Sequence, residues 1–270
     1  MLRARLATAA VAIPLLLLLI LRAPLWMFAS VVGLIAALGV IEYVAMAFPD
    51  HSAPRVMGTG LGWLLAAATA TGRPEWLSCA VVIAFIGGLS WTLFTRPDFE
   101  RGLADLGLAL LGAGYIGILL LYFVWLRSMP LGGSWVIFLL AVVMAGDSGG
   151  YFVGHAFGAH KLMPRVSPGK TIEGSAGIAA GNVLGASLAK LILLPLLGVG
   201  LTGVGWGEAL ALALVIGLVA QIGDLCESMM KRTFATKESG WIFPGHGGVL
   251  DRIDSLVFPV PLLYYYVLWR

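Results

Sequence analysis

Long apolar runs recur along nearly the whole of this 270-residue chain, and they constrain its fold more than any other feature. Hydrophobic residues make up 60% of the chain and charged residues only 11%. A soluble domain of this length would carry more charge on its surface, whereas an apolar helix of about 20 residues spans a bilayer. The pattern predicts an all-α polytopic integral membrane protein.

The runs predict about nine transmembrane helices. They cover residues 6–21, 25–47, 57–71, 76–95, 103–126, 134–156, 175–199, 206–226 and 255–269. The first follows two arginines, but we interpret it as a retained helix and not a signal peptide, because a second run follows at once. We divide the chain into N-terminal helices, residues 1–130, and a C-terminal region, residues 131–270, which carries polar loops at 158–174 and 224–254.

The distribution of Lys and Arg predicts the orientation. With the N-terminus inside, the inner segments hold twelve of the 17 basic residues and the outer segments four, while one lies within a helix. Cytoplasmic loops of membrane proteins carry such an excess. We therefore expect a cytoplasmic N-terminus, an external C-terminus and both polar loops in the cytoplasm, in a bacterial inner membrane. The mild net charge of +3 does not indicate nucleic-acid binding.

Glycines recur every fourth residue in two of the predicted helices. They are Gly146, Gly150, Gly154 and Gly158, followed by Gly177, Gly181 and Gly185. Small residues at this spacing let helices approach closely, so these faces suit contact with each other or with a second copy in a homodimer.

Two acidic residues lie in or near apolar runs. Asp147 lies inside the first glycine-rich run, and an acid in that position is a functional candidate, with a polar contact to a neighbouring helix as the alternative. Glu42 lies near the inner end of the second run. It is either an interfacial residue at a helix end or a side chain that faces a catalytic cavity.

Residues 228–254 concentrate charge between two apolar segments, with the sequence SMMKRTFATKESGWIFPGHGGVLDRID. Together with Asp224 and Glu227 they hold five of the fourteen acids and four of the seventeen bases. Such charge is costly unless it meets water, a ligand or a metal. Acidic oxygen ligands of this kind suit Mg²⁺. The glycines at 245, 247 and 248 permit close approach of the backbone to a ligand.

The second polar loop contains SPGKTIEG at residues 167–174. Its Gly-Lys-Thr does not form a Walker phosphate-binding loop, because that motif requires glycine at position 164, which is Pro164, and a preceding strand.

The two loops together resemble the signature of the phosphatidate cytidylyltransferase family. That signature runs Ser-x-x-Lys-Arg, four residues, Lys-Asp, and then Pro-x-His-Gly-Gly-x-x-Asp-Arg-x-Asp, and the second motif is Ser-Pro-x-Lys-Thr-x-Glu-Gly. This chain departs at Glu238, where the family has Asp, and at Gly169, where Lys is frequent. The resemblance implies transfer of CMP from CTP to phosphatidate, a membrane lipid, with release of CDP-diacylglycerol and pyrophosphate.

The resemblance also implies roles for individual residues. Asp224 and Asp251 would hold Mg²⁺, with room for a second cation. The phosphates of CTP or phosphatidate would be bound by Lys231, Arg232, Lys237 and Arg252. A second phosphate or nucleotide contact would come from Ser167, Lys170 and Thr171, and the site would be supported by Asp147, Glu173 and Asp254. His246 would donate to a phosphate or organise its loop, because a phosphomonoester is already a nucleophile near neutral pH, with a second pKa of about 6.

Two other classes of membrane protein share some of these features. A secondary transporter would also carry acids and bases within glycine-rich helices, but it predicts matched interrupted segments in two halves, which this sequence lacks. A CDP-alcohol phosphotransferase requires Asp-Gly-x-x-Ala-Arg, which the residues after Asp147 do not match.

Overall fold

The computed structural model describes the backbone of residues 2–240 and 247–270, and their side chains from residue 12 onward. Within these ranges nearly all regular structure is helical. The helices of the first half are α1 Leu2–Leu21, α2 Leu25–Ala47, α3 Ser52–Ala70, α4 Pro74–Thr95, α5 Phe99–Gly117 and α6 Tyr122–Ser128. The second half contains α7 Gly132–Phe157, β1 Lys161–Met163, β2 Ser167–Thr171, α8 Ile172–Leu188, a π-helical turn Ala189–Leu193, α9 Leu194–Leu196, α10 Trp206–Thr233, α11 Leu250–Val257 and α12 Pro259–Trp269.

Six of the described helical segments are long and apolar enough to cross a membrane. They are Leu25–Ala47, Pro74–Thr95, Phe99–Ser128, Gly132–Phe157, Ile172–Leu196 and Trp206–Thr233. The membrane character is confirmed, but the count of nine is not. Helix α3 is long enough but less apolar, and the last predicted run is divided at Phe258 into two short helices. Helix α1 spans Leu2–Leu21, but only its part Ala12–Leu21, whose side chains the structure describes, enters this comparison.

Two local features differ from the sequence-based expectation. The loop after α7 forms an antiparallel hairpin, in which Lys161 lies opposite Thr171 and Met163 opposite Ser167. Helix α10 continues two turns beyond residue 226, so that Lys231 lies on a helix and not in a loop. No glycine or proline interrupts residues 224–233, so nothing in this stretch stops the helix.

The glycine faces of α7 and α8 pack directly against each other, which is one of the two arrangements that their spacing allows. A Cβ added at Gly181 would lie 2.3 Å from the carbonyl oxygen of Ala145, and one added at Gly177 would lie 2.6 Å from that of Gly149. These distances are too short for any side chain, so the close approach of the two backbones requires glycine. The contact holds α7 and α8 together at the end where the hairpin connects them.

The C-terminal end of α2 packs against the segment that follows α10. Tyr43 is 1% exposed, its ring meets Phe234 edge-on at 5.7 Å between centroids, and its hydroxyl donates to the carbonyl of Leu108 on α5 at 3.0 Å. Gly112 leaves space for this ring. Helix α2, which packs on α5 in the N-terminal half, therefore also packs against the start of the charged segment, at Phe234.

Candidate active site

A cavity of about 640 Å³ opens between α7, α8, α10 and the hairpin. Four residues selected from the sequence line it: Asp147, Lys170, Thr171 and Asp224. The charged and polar lining also includes Lys161, Ser175 and Gln221, and much of the remaining wall is glycine. The glycine faces thus have a second consequence, because the absence of side chains leaves open space beside the charged groups.

Lys170 and Asp224 form an ion pair in this cavity, with 2.6 Å between Nζ and Oδ2. Both side chains are largely buried, at 21% and 29% exposure. The other carboxylate oxygen of Asp224 is 3.4 Å from the hydroxyl of Ser228, which donates to it. The pairing joins the second strand of the hairpin to α10 and so brings the two sequence motifs together.

A second lysine lies between two carboxylates. Lys231 Nζ is 2.5 Å from Glu227 Oε2 and 2.5 Å from Asp251 Oδ1. The side chain of Glu227 is only 1% exposed. Sequence reasoning did not assign Glu227 to the site, although its position one helical turn before Lys231 is a recognisable signal of such a pair.

Asp251 lies in the first turn of α11 and uses both of its oxygens. Oδ1 accepts from Lys231, while Oδ2 accepts from the amide of Gly248, the amide of Ser239 and the Ser239 hydroxyl, each at 2.9 Å. Burial acts to raise the pKa of Asp251, but hydrogen bonds from Lys231 and from the Gly248 and Ser239 amides outweigh it. The pKa of Asp251 is consequently lowered, which favours the carboxylate form.

Asp254 and Asp147 face each other across Ser255. The Ser255 amide donates to Asp254 at 2.7 Å, and the Ser255 hydroxyl donates to Asp147 at 3.3 Å. Burial, followed by the negative charges of Asp224 and Glu227, raises the pKa of Asp254 to about 8. Asp254 therefore tends to retain its proton at neutral pH unless a cation compensates the nearby charges.

Carboxylates outnumber the lysines that pair with them. The group consists of Asp147, Asp224, Glu227, Asp251 and Asp254. Among the described residues, lysines pair with three of these carboxylates: Lys170 with Asp224, and Lys231 with Glu227 and Asp251. No three His, Cys, Asp or Glu side chains within residues 2–240 and 247–270 converge as in a preformed metal centre. Surplus acidic oxygens without such a cage fit Mg²⁺, which is usually held by one or two carboxylates and substrate phosphates.

Thr171 and Glu173 build the support of the hairpin. Thr171 Oγ1 accepts the amide of Gly174 at 3.0 Å and so caps α8. Glu173 accepts the amide of Ala159 at 3.1 Å and lies 2.6 Å from the ring nitrogen Nδ1 of His160. These contacts tie the end of α7 to the start of α8 and thereby orient Lys170.

The remaining predicted residues lie toward the surface or outside the described ranges. Arg232 donates to the carbonyl of Val166 at 3.3 Å and joins α10 to the hairpin. Ser167 begins β2 and is half-buried, and both Lys237 and Arg252 are exposed. His246 lies outside the residues that the structure describes.

Several side chains that line the cavity were not assigned to the site from the sequence, namely Tyr151, His155, Lys161, Ser175, Ile178 and Gln221. The rings of Tyr151 and His155 lie parallel, with centroids 6.1 Å apart, and Gln221 donates to the Ser175 hydroxyl at 2.6 Å. Nothing local distinguishes these side chains, because helical spacing alone does not show which face borders an open space.

Comparisons with known proteins identify the family. A profile described as "Cytidylyltransferase family" matches residues 3–269. A phosphatidate cytidylyltransferase of Brucella suis is 42% identical over 180 residues, which is 66% of this chain and 62% of that protein. One of Bacillus subtilis is 38% identical over 178 residues, 66% of this chain and 63% of that protein.

One of Staphylococcus aureus is 35% identical over 236 residues, which is 87% of this chain and 79% of that protein. The alignments with the Brucella and Bacillus proteins thus span less than two thirds of those proteins, whereas the Staphylococcus alignment and the family profile span most of this chain. On these matches and on the motifs that meet at the cavity, the chain belongs to the cytidylyltransferase family.

Proposed function

We propose that this membrane protein is a phosphatidate cytidylyltransferase, which transfers CMP from CTP to phosphatidate and releases pyrophosphate. The observation that carries the proposal is the cavity of about 640 Å³, where Lys161 and Lys170 share a wall with Asp147 and Asp224. This volume lies within the range of small-molecule sites. The names of the related proteins supply the substrates of the proposal.

In the proposed reaction a phosphate oxygen of phosphatidate attacks the α-phosphorus of CTP. The bond to the oxygen that bridges the α- and β-phosphorus breaks, and its electron pair leaves with pyrophosphate. The attacking phosphomonoester needs no strong general base, because its second pKa is about 6. The chain's main tasks are therefore to bring two polyanions together and to stabilise charge on the leaving group.

We propose Asp224 and Asp251 as the carboxylates that hold Mg²⁺, and the surplus of acidic side chains around them supports this choice. Bound Mg²⁺ would supply Lewis-acid stabilisation of the phosphate oxygens. A second cation could be held by Asp147 and Asp254, which accept hydrogen bonds from the hydroxyl and the amide of Ser255.

Lys170 and Lys231 would change partners during this reaction. In the structure each of them pairs with a proposed metal carboxylate. Both lysines would donate to substrate phosphates during the reaction, where positive donors stabilise developing charge. Arg232, Lys237 and Arg252 are further candidates for phosphate contacts from the exposed rim, together with His246, and Ser167 belongs to the hairpin wall.

We propose that the cavity faces the cytoplasm, where CTP is found. The excess of Lys and Arg in the inner segments supports this orientation, with the N-terminus inside and the C-terminus outside. Phosphatidate would reach the cavity from the side, past exposed apolar residues of α7 such as Phe152 and Phe157, which are 69% and 73% exposed.

The proposal is tested by supplying the purified protein in detergent with CTP, phosphatidate and Mg²⁺. We expect pyrophosphate and CDP-diacylglycerol to appear in equal amounts, and activity to be lost with a chelator and restored by Mg²⁺. Parallel reactions replace phosphatidate with diacylglycerol, or CTP with ATP. Pyrophosphate release without phosphatidate, or no release at all, would contradict the proposed activity.

A further inference from the structure

Glu42 lies in the N-terminal half of the chain but is buried against the C-terminal motif. It is 5% exposed and sits near the inner end of α2. Its Oε1 accepts the amide of Val249 at 2.9 Å, while its Oε2 accepts the amide of Leu250 at 3.0 Å and lies 3.2 Å from the Ser239 hydroxyl oxygen. One carboxylate thus binds the start of α11 and a residue eleven positions before it.

Two glycines of the motif provide the space for this carboxylate. A Cβ added at Gly240 would lie 2.4 Å from Glu42 Oε1. One added at Gly248 would lie 2.5 Å from Glu42 Oε2 and 2.2 Å from the Ser239 hydroxyl. A Cβ at either position would therefore displace the Glu42 carboxylate from its present contacts.

A chain of polar contacts connects Glu42 with the reacting groups. The Ser239 oxygen is 3.2 Å from Glu42 and 2.9 Å from Asp251 Oδ2, and Asp251 in turn contacts Lys231. Ser239 is 4% exposed, so these contacts are shielded from water, where hydrogen bonds within a network reinforce one another.

We propose that Glu42 is a positioning residue of the active site. By binding the first amides of α11 and Ser239, it sets the orientation of Asp251 and, through Asp251, of Lys231. The inference rests on the proposed function, because it concerns the turnover of CTP and phosphatidate. It assigns a role in the reaction to the N-terminal half, which the motifs do not include.

The first test is Glu42→Gln, which keeps the size of the side chain but replaces one acceptor oxygen by an NH₂ group. In either orientation that group faces an amide N–H of Val249 or Leu250, so one hydrogen bond is lost. A small misplacement of catalytic groups reduces turnover strongly, so we expect kcat to fall about tenfold or more. The KM for CTP should change much less, because phosphate contacts remain.

Asp105→Asn is the matched control. Asp105 is another buried carboxylate of the N-terminal half, 9% exposed and ion-paired with Arg96. Removing the negative charge of Asp105 should lower the thermal unfolding temperature without a comparable fall in kcat. If Glu42→Gln lowers kcat no more than Asp105→Asn, measured well below both unfolding temperatures, then Glu42 is only structural.

A double-mutant cycle with Ser239→Ala tests the route. If Glu42 acts through Ser239 and Asp251, the double variant should lose about as much kcat as the more impaired single variant. If the fold-reduction in kcat of the double variant equals the product of the two single reductions, the two residues act independently and the proposal is wrong. Should Glu42→Gln fail to fold, Ser239→Ala alone must show the fall in kcat with little change in KM, and normal kcat would refute the route.

An inactive wild type would refute the proposed function, whereas an active wild type with an equally active Glu42→Gln refutes only the role of Glu42.

Discussion

At the scale of single residues, the site is organised by lysines that compensate buried acids. Lys231 lies within 2.5 Å of both Glu227 and Asp251, and Lys170 lies 2.6 Å from Asp224. Removing one member of such a group leaves the other charge without its partner, which is costly away from water. The same residues therefore contribute to stability and to the proposed chemistry, so mutational tests must measure both.

Asp251→Asn should abolish turnover. The change removes the charge opposite Lys231 and turns an NH₂ group toward one of the donors that Asp251 accepts. We expect kcat to fall at least about 100-fold, the scale on which single electrostatic contacts contribute to catalysis. Stability should fall by about 1–3 kcal/mol, because buried donors lose an acceptor. Pyrophosphate release at saturating Mg²⁺ and thermal unfolding in detergent provide the two measurements.

Asp224→Asn should behave in the same way, and the double variant should be little worse than either single variant, because groups that act as a unit do not add. If Asp251→Asn turns over as fast as the wild type, Asp251 has no role in the reaction.

Glu238→Asp should be nearly silent. Glu238 replaces the aspartate of the family signature, and its side chain is exposed. Exposed ion pairs contribute less than about 1 kcal/mol, so a change of one methylene should matter little. A Mg²⁺ titration of the variant provides the test, with Asp251→Glu as a comparison inside the site. A severalfold shift in the half-saturating Mg²⁺ concentration for Glu238→Asp would show that this carboxylate binds the metal directly.

At the scale of elements, the contact between α7 and α8 builds the cavity wall. The glycines that bring the two backbones together also leave the open space that Lys170 and Asp224 share. The hairpin between these helices then returns the chain so that its second strand lies beside α10. The glycine spacing that lets the two helices approach closely is therefore also required to form the cavity.

Gly181→Ala should disrupt this contact. The added Cβ would lie 2.3 Å from the Ala145 carbonyl oxygen, which is backbone and moves only with its helix. Overpacking of this kind costs about 1–3 kcal/mol. Gly114→Ala in α5 is the control, since nothing lies within 4 Å of the added Cβ. Thermal unfolding should fall for the first variant only, and equal stability of the two would contradict the tight packing of α7 on α8.

At the scale of the whole molecule, residues from distant parts of the chain meet at one end. The hairpin, the end of α10 and the start of α11 converge there, next to the C-terminal end of α2. The proposed orientation puts this end in the cytoplasm. The glycine faces from which a homodimer was predicted contact each other within the chain, and the homodimer itself stays a prediction.

Cysteine labelling should reveal the orientation. In a variant without Cys79 and Cys226, a cysteine at position 163 or 238 should react with an impermeant reagent only after the inner side is opened. One at position 202 should react from outside in intact cells. All three positions are exposed, so accessibility to the reagent does not depend on unfolding. Labelling of position 238 from outside would show the opposite orientation and would contradict the proposal that CTP reaches the cavity from the cytoplasm.

The sequence by itself determined the membrane character, the glycine contact of α7 with α8, and several groups that border the cavity, among them Asp147, Lys170 and Asp224. These follow from composition and short-range spacing, which set the preference for lipid and the faces that can touch. The tertiary structure alone decided that Glu42 binds the start of α11, more than 200 residues away. It also decided that Asp251, 20 residues further along the chain, pairs with Lys231. Such contacts depend on how whole helices pack, and no local pattern of residues encodes which distant partner a buried charge will find.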